Sequence, residues 1–435
     1  INNHVDVKKN TKSSIHSKAK LPDLLKSISI GEIVGNSIDL KHSTISDTSV
    51  NKIALKNLGF LISDILVDSN SLSNNSYELA KQISLDLRGN ELVSKDSLYA
   101  TSVTGISYDF SDNKLSVDSL MMKPRYQADE FFKKAVYQTG KMDVVAASIV
   151  CSNFRLKELV DDGSIHIGAV DVIGLEARIF RNKKYEMNPN AYKKMPQEAL
   201  FGMARKLVID SLKTHDSYIQ YKQLSEKSIV PGEIFLNKFN LSVTNINNEL
   251  SVLDTNSLMV AKLNAMLLGE AVLNLNINFP LLSYTDEYEV SGNISELDFT
   301  KLNSMTQNLA GITMKNGTGG VDIPLIKGNN VSSDGSILFK YKKLKIELYD
   351  RDKAQNTSGL TGSMANLLLN DIFIRSNNPG FLGKTRQGEV YFKRNTQKSI
   401  VYNIWKSVFS GIMSTMGYNN KEQRQEKKAR RRSKK

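Results

Sequence analysis

The chain has one cysteine, one tryptophan and only 8 prolines in 435 residues. It also has no apolar run of the roughly 18 residues that a membrane-spanning helix requires. The lone Cys151 excludes an internal disulfide framework and a thiolate metal cluster. In the strand-like run 144–150 it reads as a small hydrophobe rather than a nucleophile. The histidines His4, His16, His42, His166 and His215 show no metal-ligand spacing, so no metal or other cofactor is expected. Aromatic residues make up 8%, which disfavours a carbohydrate-active β enzyme with paired carboxylates among aromatic side chains. Asp161-Asp162 before Gly163 reads as a turn, and 349–352 as a solvated loop. The glycine-rich run 316–320 lacks the lysine of a phosphate-binding loop and reads as a hairpin turn. No catalytic constellation remains, and a non-enzymatic protein is expected.

With 40% hydrophobic and 24% charged residues, the chain can bury a large core and is not globally disordered. Its length suggests roughly three ordinary domains. The net charge of +13 is concentrated at the ends. Nine basic and two acidic residues between Lys421 and Lys435 carry +7, leaving +6 for the rest, and residues 1–20 hold five lysines against one aspartate. That distribution argues against a basic groove along the body.

What is present is alternation. Residues 273–279 place Leu273, Leu275, Ile277 and Phe279 on one face of a strand and Asn274, Asn276 and Asn278 on the other. The same period marks Phe239, Leu241 and Val243, then Leu115 and Val117, then Leu344, Ile346 and Leu348. Beyond residue 225 strand follows strand with few helical insertions, 297–309 and 363–369 being the better ones. Strands without crossover helices imply antiparallel pairing. The expected fold is mostly β: an elongated, curved antiparallel sheet forming a groove, with short helical insertions and a C-terminal amphipathic helix. The organisation reads as a polar linker 1–20, β modules with short helices 21–225, an antiparallel sheet region 226–396, the helix 397–418 and a basic tail 419–435.

In that helix Ile400, Val401, Ile404, Trp405, Val408, Phe409, Ile412, Met413 and Met416 form the apolar stripe, with Asn403, Lys406, Ser407, Ser410 and Ser414 opposite. The stripe spirals, which suits a helix capping a twisted sheet; contact of Trp405 and Phe409 with a membrane or a partner is the alternative. The tail with Arg430, Arg431 and Arg432 reads as solubilising or as attracted to anionic headgroups. No aromatic residue is interleaved with these charges, which disfavours nucleic acid.

Three segments carry a family resemblance: 195–200 leading through LVIDSLKTHDSYIQYKQL to PGEIFLNKFNLSVTN, then SILFKYKKLKIELYDRD at 336–352, then GEVYFKRNTQKSIVYNIWKSVFSGIMSTMGY at 388–418. Over roughly residues 21–418 the chain resembles the AsmA-like bacterial envelope proteins, in the form common in Bacteroidetes and related to TamB and YhdP. The resemblance implies a folded-over, taco-like β-sheet in the periplasm, tethered to the inner membrane by an N-terminal helix that this chain lacks. It implies phospholipid passing along the apolar groove in support of the outer membrane, with bacterial membranes and envelope proteins as partners. The groove lining would be Phe239, Leu241, Val243, Leu273, Leu275, Ile277, Phe279, Leu344, Ile346 and Leu348. The rival expectation is a structural or assembly factor whose closed β core binds protein partners, for example by strand addition at a sheet edge.

Overall fold

The computed structural model describes residues 25–46, 49–68, 79–349 and 375–418. The linker 1–20, the helical run 363–369 and the basic tail with Arg430, Arg431 and Arg432 lie outside the described residues.

Alternating apolar and polar residues build most of the strands. They are β1 (Ser27–Ser46), β2 (Ser49–Asp68), β3 (Gln82–Asp86), β4 (Leu92–Val93), β5 (Tyr99–Ser102) and β6 (Gly105–Asp109). Next come β7 (Lys114–Pro124), β8 (Gly140–Ser152), β9 (Ile165–Ile173), β10 (Glu176–Asn182), β11 (Leu207–Leu224) and β12 (Gly232–Asn247). The last are β13 (Leu258–Leu267), β14 (Ala271–Pro280), β15 (Tyr288–Asp298), β16 (Ile312–Gly328), β17 (Ser332–Leu348) and β18 (Gly388–Lys393). All belong to one 18-stranded sheet. The sheet does not break at residue 225, where β11 pairs with β12.

Pairing follows chain order with two interruptions. β5 and β6 together flank β7, and β9 and β10 together lie between β8 and β11. The pairs are antiparallel as expected, except that β9 and β10 run parallel to β11. A parallel neighbour needs a long crossover. The connection 183–206, which contains a helix, supplies it.

Several strands are longer than their turn-like residues suggest. The glycine-rich run 316–320 is not a hairpin turn but the middle of β16. A Cβ on Gly319 would fall 2.8 Å from Phe299 and 2.7 Å from Tyr341, so glycine there admits two aromatic side chains. Lys238 and Lys343 adopt left-handed backbone at breaks in the register of β12 and near one in β17, so each strand bends instead of ending. Asp334-Gly335 likewise lies within β17.

Short helices cover parts of the sheet: α1 (Ala128–Ala135), α2 (Leu156–Asp161), α3 (Pro196–Phe201) and a mixed helical segment at 299–310, with α4 (Ile400–Met416) at the C-terminal end. α1 buries Phe131 and Phe132 beside Leu98. α2 sits against Tyr108, Cys151 and Val170. The largest core joins Met195 and Leu200 around α3, Phe299, the inner residues of β14–β18, and Ile404, Val408, Met413 and Met416 of α4. The connection 183–195 reaches this end of the sheet: Lys193 N–H donates to the Thr396 carbonyl at 2.7 Å, and Gln397 Nε2 donates to the Pro189 carbonyl at 3.2 Å.

α4 caps the sheet, but not with the whole expected stripe. Val401 and Trp405 are exposed, at 72% and 51%, while Asn403, Ser407 and Ser410 are buried. The reason is closeness. A Cβ on Gly411 would lie 2.7 Å from Ile337 and 2.9 Å from Val390, so only small side chains fit this side of the helix. The buried polar atoms are satisfied locally: Ser407 Oγ donates to the Asn403 carbonyl at 2.7 Å, and Asn403 Nδ2 to the Ser399 carbonyl at 2.9 Å.

Candidate functional site

Residues directly opposite one another in adjacent strands share a face. From β1 one such rank reads Ile33, Ile62, Ile83, Tyr108, Leu115, Cys151 and Val170. It continues through Leu212, Val243, Ala261, Ile277, Val290 and Ile326. No polar side chain other than the Tyr108 hydroxyl, which donates to the Phe154 carbonyl, interrupts it from β1 to β16. Two residues along each strand up to β15, and three along β16 where the register shifts, a second rank on the same face runs from Phe60 through Leu85, Ile106, Val117, Ile149 and Val172. It crosses Thr214 and goes on through Leu241, Leu263, Leu275, Gly292 and Ile323. The opposite face between β12 and β15 carries a rank of amides, Asn240, Asn264, Asn274 and Asn293. Asn264 Nδ2 donates to Asn274 Oδ1 at 2.7 Å.

Helices cover this apolar face at intervals. α2 lies over β6–β9, while α3 and α4 lie over the β13–β18 end. Toward β1 it is open: Ile33 and Leu85 are 40% and 41% exposed. An open crease of about 640 Å³ crosses β11–β15, lined by Leu241, Leu263 and Leu275 together with Lys213, Lys262 and Asn276. Residues of both faces border it, so it is not an enclosed apolar channel.

The ten expected lining residues fall into distinct environments. Phe279 and Leu344 are buried in the main core, where they pack. Val243, Leu275, Ile277 and Ile346 are half-buried against that core. Leu241 and Leu273 are half-buried on the same face. Leu348 is 39% exposed beside Ile312, and Phe239 is half-buried next to the bend at Lys238. Phe409 is half-buried on α4, its ring centroid 6.0 Å from that of Trp405.

Sequence reading missed β13 entirely. Its inner residues Met259, Ala261, Leu263 and Ala265 do alternate, but two alanines weaken the apolar signal and are poor strand formers. It also missed the neighbours of α4. Arg181 and Lys183 at the end of β10 meet Lys398 and Lys406 there, and burial together with Arg181 and Lys183 lowers Lys398 to about 8.

Other titratable groups have structural partners. His166 is flanked by Glu158 and Glu249, and His215 Nε2 lies 2.7 Å from Asp171 Oδ1. Burial pushes the Cys151 thiol up, in keeping with its reading as a core residue. Among the described residues no group of acidic, histidine or cysteine side chains could hold a metal ion, and no helix is long and apolar enough to cross a membrane. No family model matches the chain, and no curated protein matches it significantly.

Proposed function

We propose that this chain holds or passes phospholipid along its apolar sheet face, as a non-enzymatic AsmA-like envelope protein. The observation that carries the reading is the apolar rank from Ile33 to Ile326, which continues from strand to strand across the width of the sheet. A closed core needs apolar residues only where something covers them. Here the rank extends past α2 to residues that are 40% exposed at β1. An acyl chain laid across the strands would gain about 0.8 kcal/mol per methylene removed from water, with no directional contact required. The amide rank on the other face keeps that side wet. In this reading the protein works in the periplasm between bacterial membranes.

Native mass spectrometry with lipid extraction on the purified chain tests the reading. Wild type carries or takes up phospholipid, and a folded Leu275→Asp variant loses it. A well-folded wild type that neither contains nor takes up phospholipid overturns the proposal.

A second reading rests on β1. Among the described residues this 20-residue strand pairs only with β2, so its outer edge is open, and Ile28, Ile30, Ile33, Val34 and Leu40 are exposed along it. Such an edge accepts an added strand from another chain. Loss of a protein partner on placing lysines along β1, with lipid binding intact, would favour this reading.

A further inference from the structure

We propose that Arg181, Lys183, Lys398 and Lys406 form a phosphate-binding site between the end of β10 and the first half of α4. Its ligand is the phosphate of a lipid headgroup or of a free phosphate ester. The site stands apart from the acyl-chain reading, since it needs no apolar face and can fail or hold independently of it.

The four cations come from two segments far apart in the chain and meet where the connection after β10 touches the start of α4. Arg181 Nη2 and Lys398 Nζ converge on one thioether, Met187 Sδ, at 3.7 and 3.0 Å. A thioether is a weak acceptor. Lys398 and Lys406 place their ammonium groups 6.0 and 5.8 Å from the centroid of the Tyr402 ring. Lys183 lies two residues after Arg181 and is repelled by both Arg181 and Lys406. Among the described residues no ion pair joins any of the four to a carboxylate. The carboxylate felt at Lys183 is Glu226, the weakest influence on it.

Neutral groups also hold these side chains, since Arg181 hydrogen-bonds the Tyr221 side chain and Lys406 Nζ lies 5.3 Å from the Phe409 ring centroid, but none of them balances the charge. Four like charges repel, and Arg181 Nε is buried without a partner. Lys398 immediately precedes Ser399, the N-cap of α4, where the helix dipole disfavours a cation. A phosphate reverses each of these costs. The Arg181 fork can donate to two oxygens, the lysines supply compact charge, and the positive helix end favours an anion. The three lysines are half-buried, so the site is partly desolvated yet reachable.

The test uses the full chain. Inorganic phosphate and glycerol phosphate are titrated at constant ionic strength against chloride, following thermal stability and calorimetric binding. Saturable, phosphate-specific binding is expected. Lys398→Met and Lys183→Met should each weaken it at least about tenfold, and Lys398→Arg should retain most of it. Flotation with vesicles separates the sources. Recruitment to phosphatidylglycerol vesicles that is lost in Lys398→Met identifies a lipid headgroup; binding of the soluble phosphates without such recruitment identifies a free ester. Lys398→Met removes a repelled charge, so its loss of binding is not a loss of folding, and circular dichroism checks this. Wild type that binds phosphate no better than chloride, or variants that bind as well as wild type, overturn the proposal.

Discussion

Gly388 of β18 and Gly411 of α4 touch so closely that a Cβ on Gly388 would lie 2.1 Å from the Gly411 carbonyl oxygen. The obstructing atom is backbone, so no side-chain rotation relieves the clash. Gly388→Ala must push α4 off β18, together with the apolar residues it buries. The expected cost is about 1–3 kcal/mol, in the range of an overpacked core. Equilibrium denaturation checks it; Gly383→Ala is unsuitable as a control because Gly383 has φ of 70°, whereas Gly31, with nothing within 4 Å of its Cβ position, is a fair one. Equal stability of Gly388→Ala and Gly31→Ala would mean that α4 does not sit this tightly.

Lys398 makes stability depend on pH in a definite direction. The folded protein releases this proton near pH 8, whereas the unfolded chain holds it to about 10.5. The unfolded state therefore binds more protons between those values, and stability rises with pH across the window. The cost of the charged ammonium is fully present below pH 8 and fades above it. Lys398 is faced by Arg181, Lys183, Met187 and Tyr402. Because the side chain is partly solvated, the cost is about 1 kcal/mol after screening. Lys398→Met should be more stable than wild type by about that amount at pH 7, with the difference shrinking toward zero at pH 10.5. Denaturant titrations of both proteins at the two pH values measure it. A variant less stable than wild type at pH 7 would contradict the argument.

β1 predicts association. A long open edge with exposed isoleucine and valine side chains pairs readily with a second edge, and lysines block such pairing. Sedimentation velocity of the full chain should show concentration-dependent self-association, reduced in an Ile30→Lys/Val34→Lys variant. A wild type that stays monomeric up to high concentration would show that this edge is protected.

The β14 strand was legible because its Leu/Asn alternation is unbroken, and it pairs on both sides as the pattern implies. Boundaries were less legible. Lys238, Lys343 and Gly335 look like turn positions in a linear reading, yet each is spanned by pairing with neighbouring strands that only the assembled sheet provides. The α4 helix was legible as a helix and in most of its apolar stripe, which packs on the main core, but not at Val401 and Trp405, which are exposed. Amphipathic spacing assumes that only the apolar side faces the core, whereas the close approach of Gly388 and Gly411 also turns Asn403, Ser407 and Ser410 inward. The cation cluster was illegible, because Arg181 and Lys398 are adjacent only once the 183–195 connection crosses to α4. The long apolar rank depended on register, which alternation within single strands does not contain.

The most direct test of the apolar face as a lipid path exploits its period of two. A photoreactive phenylalanine analogue is placed singly at 241, 263 and 275, and at their sequence neighbours 240, 264 and 274, and each protein is irradiated with phospholipid vesicles. The account predicts lipid adducts at Leu241, Leu263 and Leu275 and none at Asn240, Asn264 and Asn274, which lie on the opposite face. Adducts at both sets alike, or at neither, would contradict it.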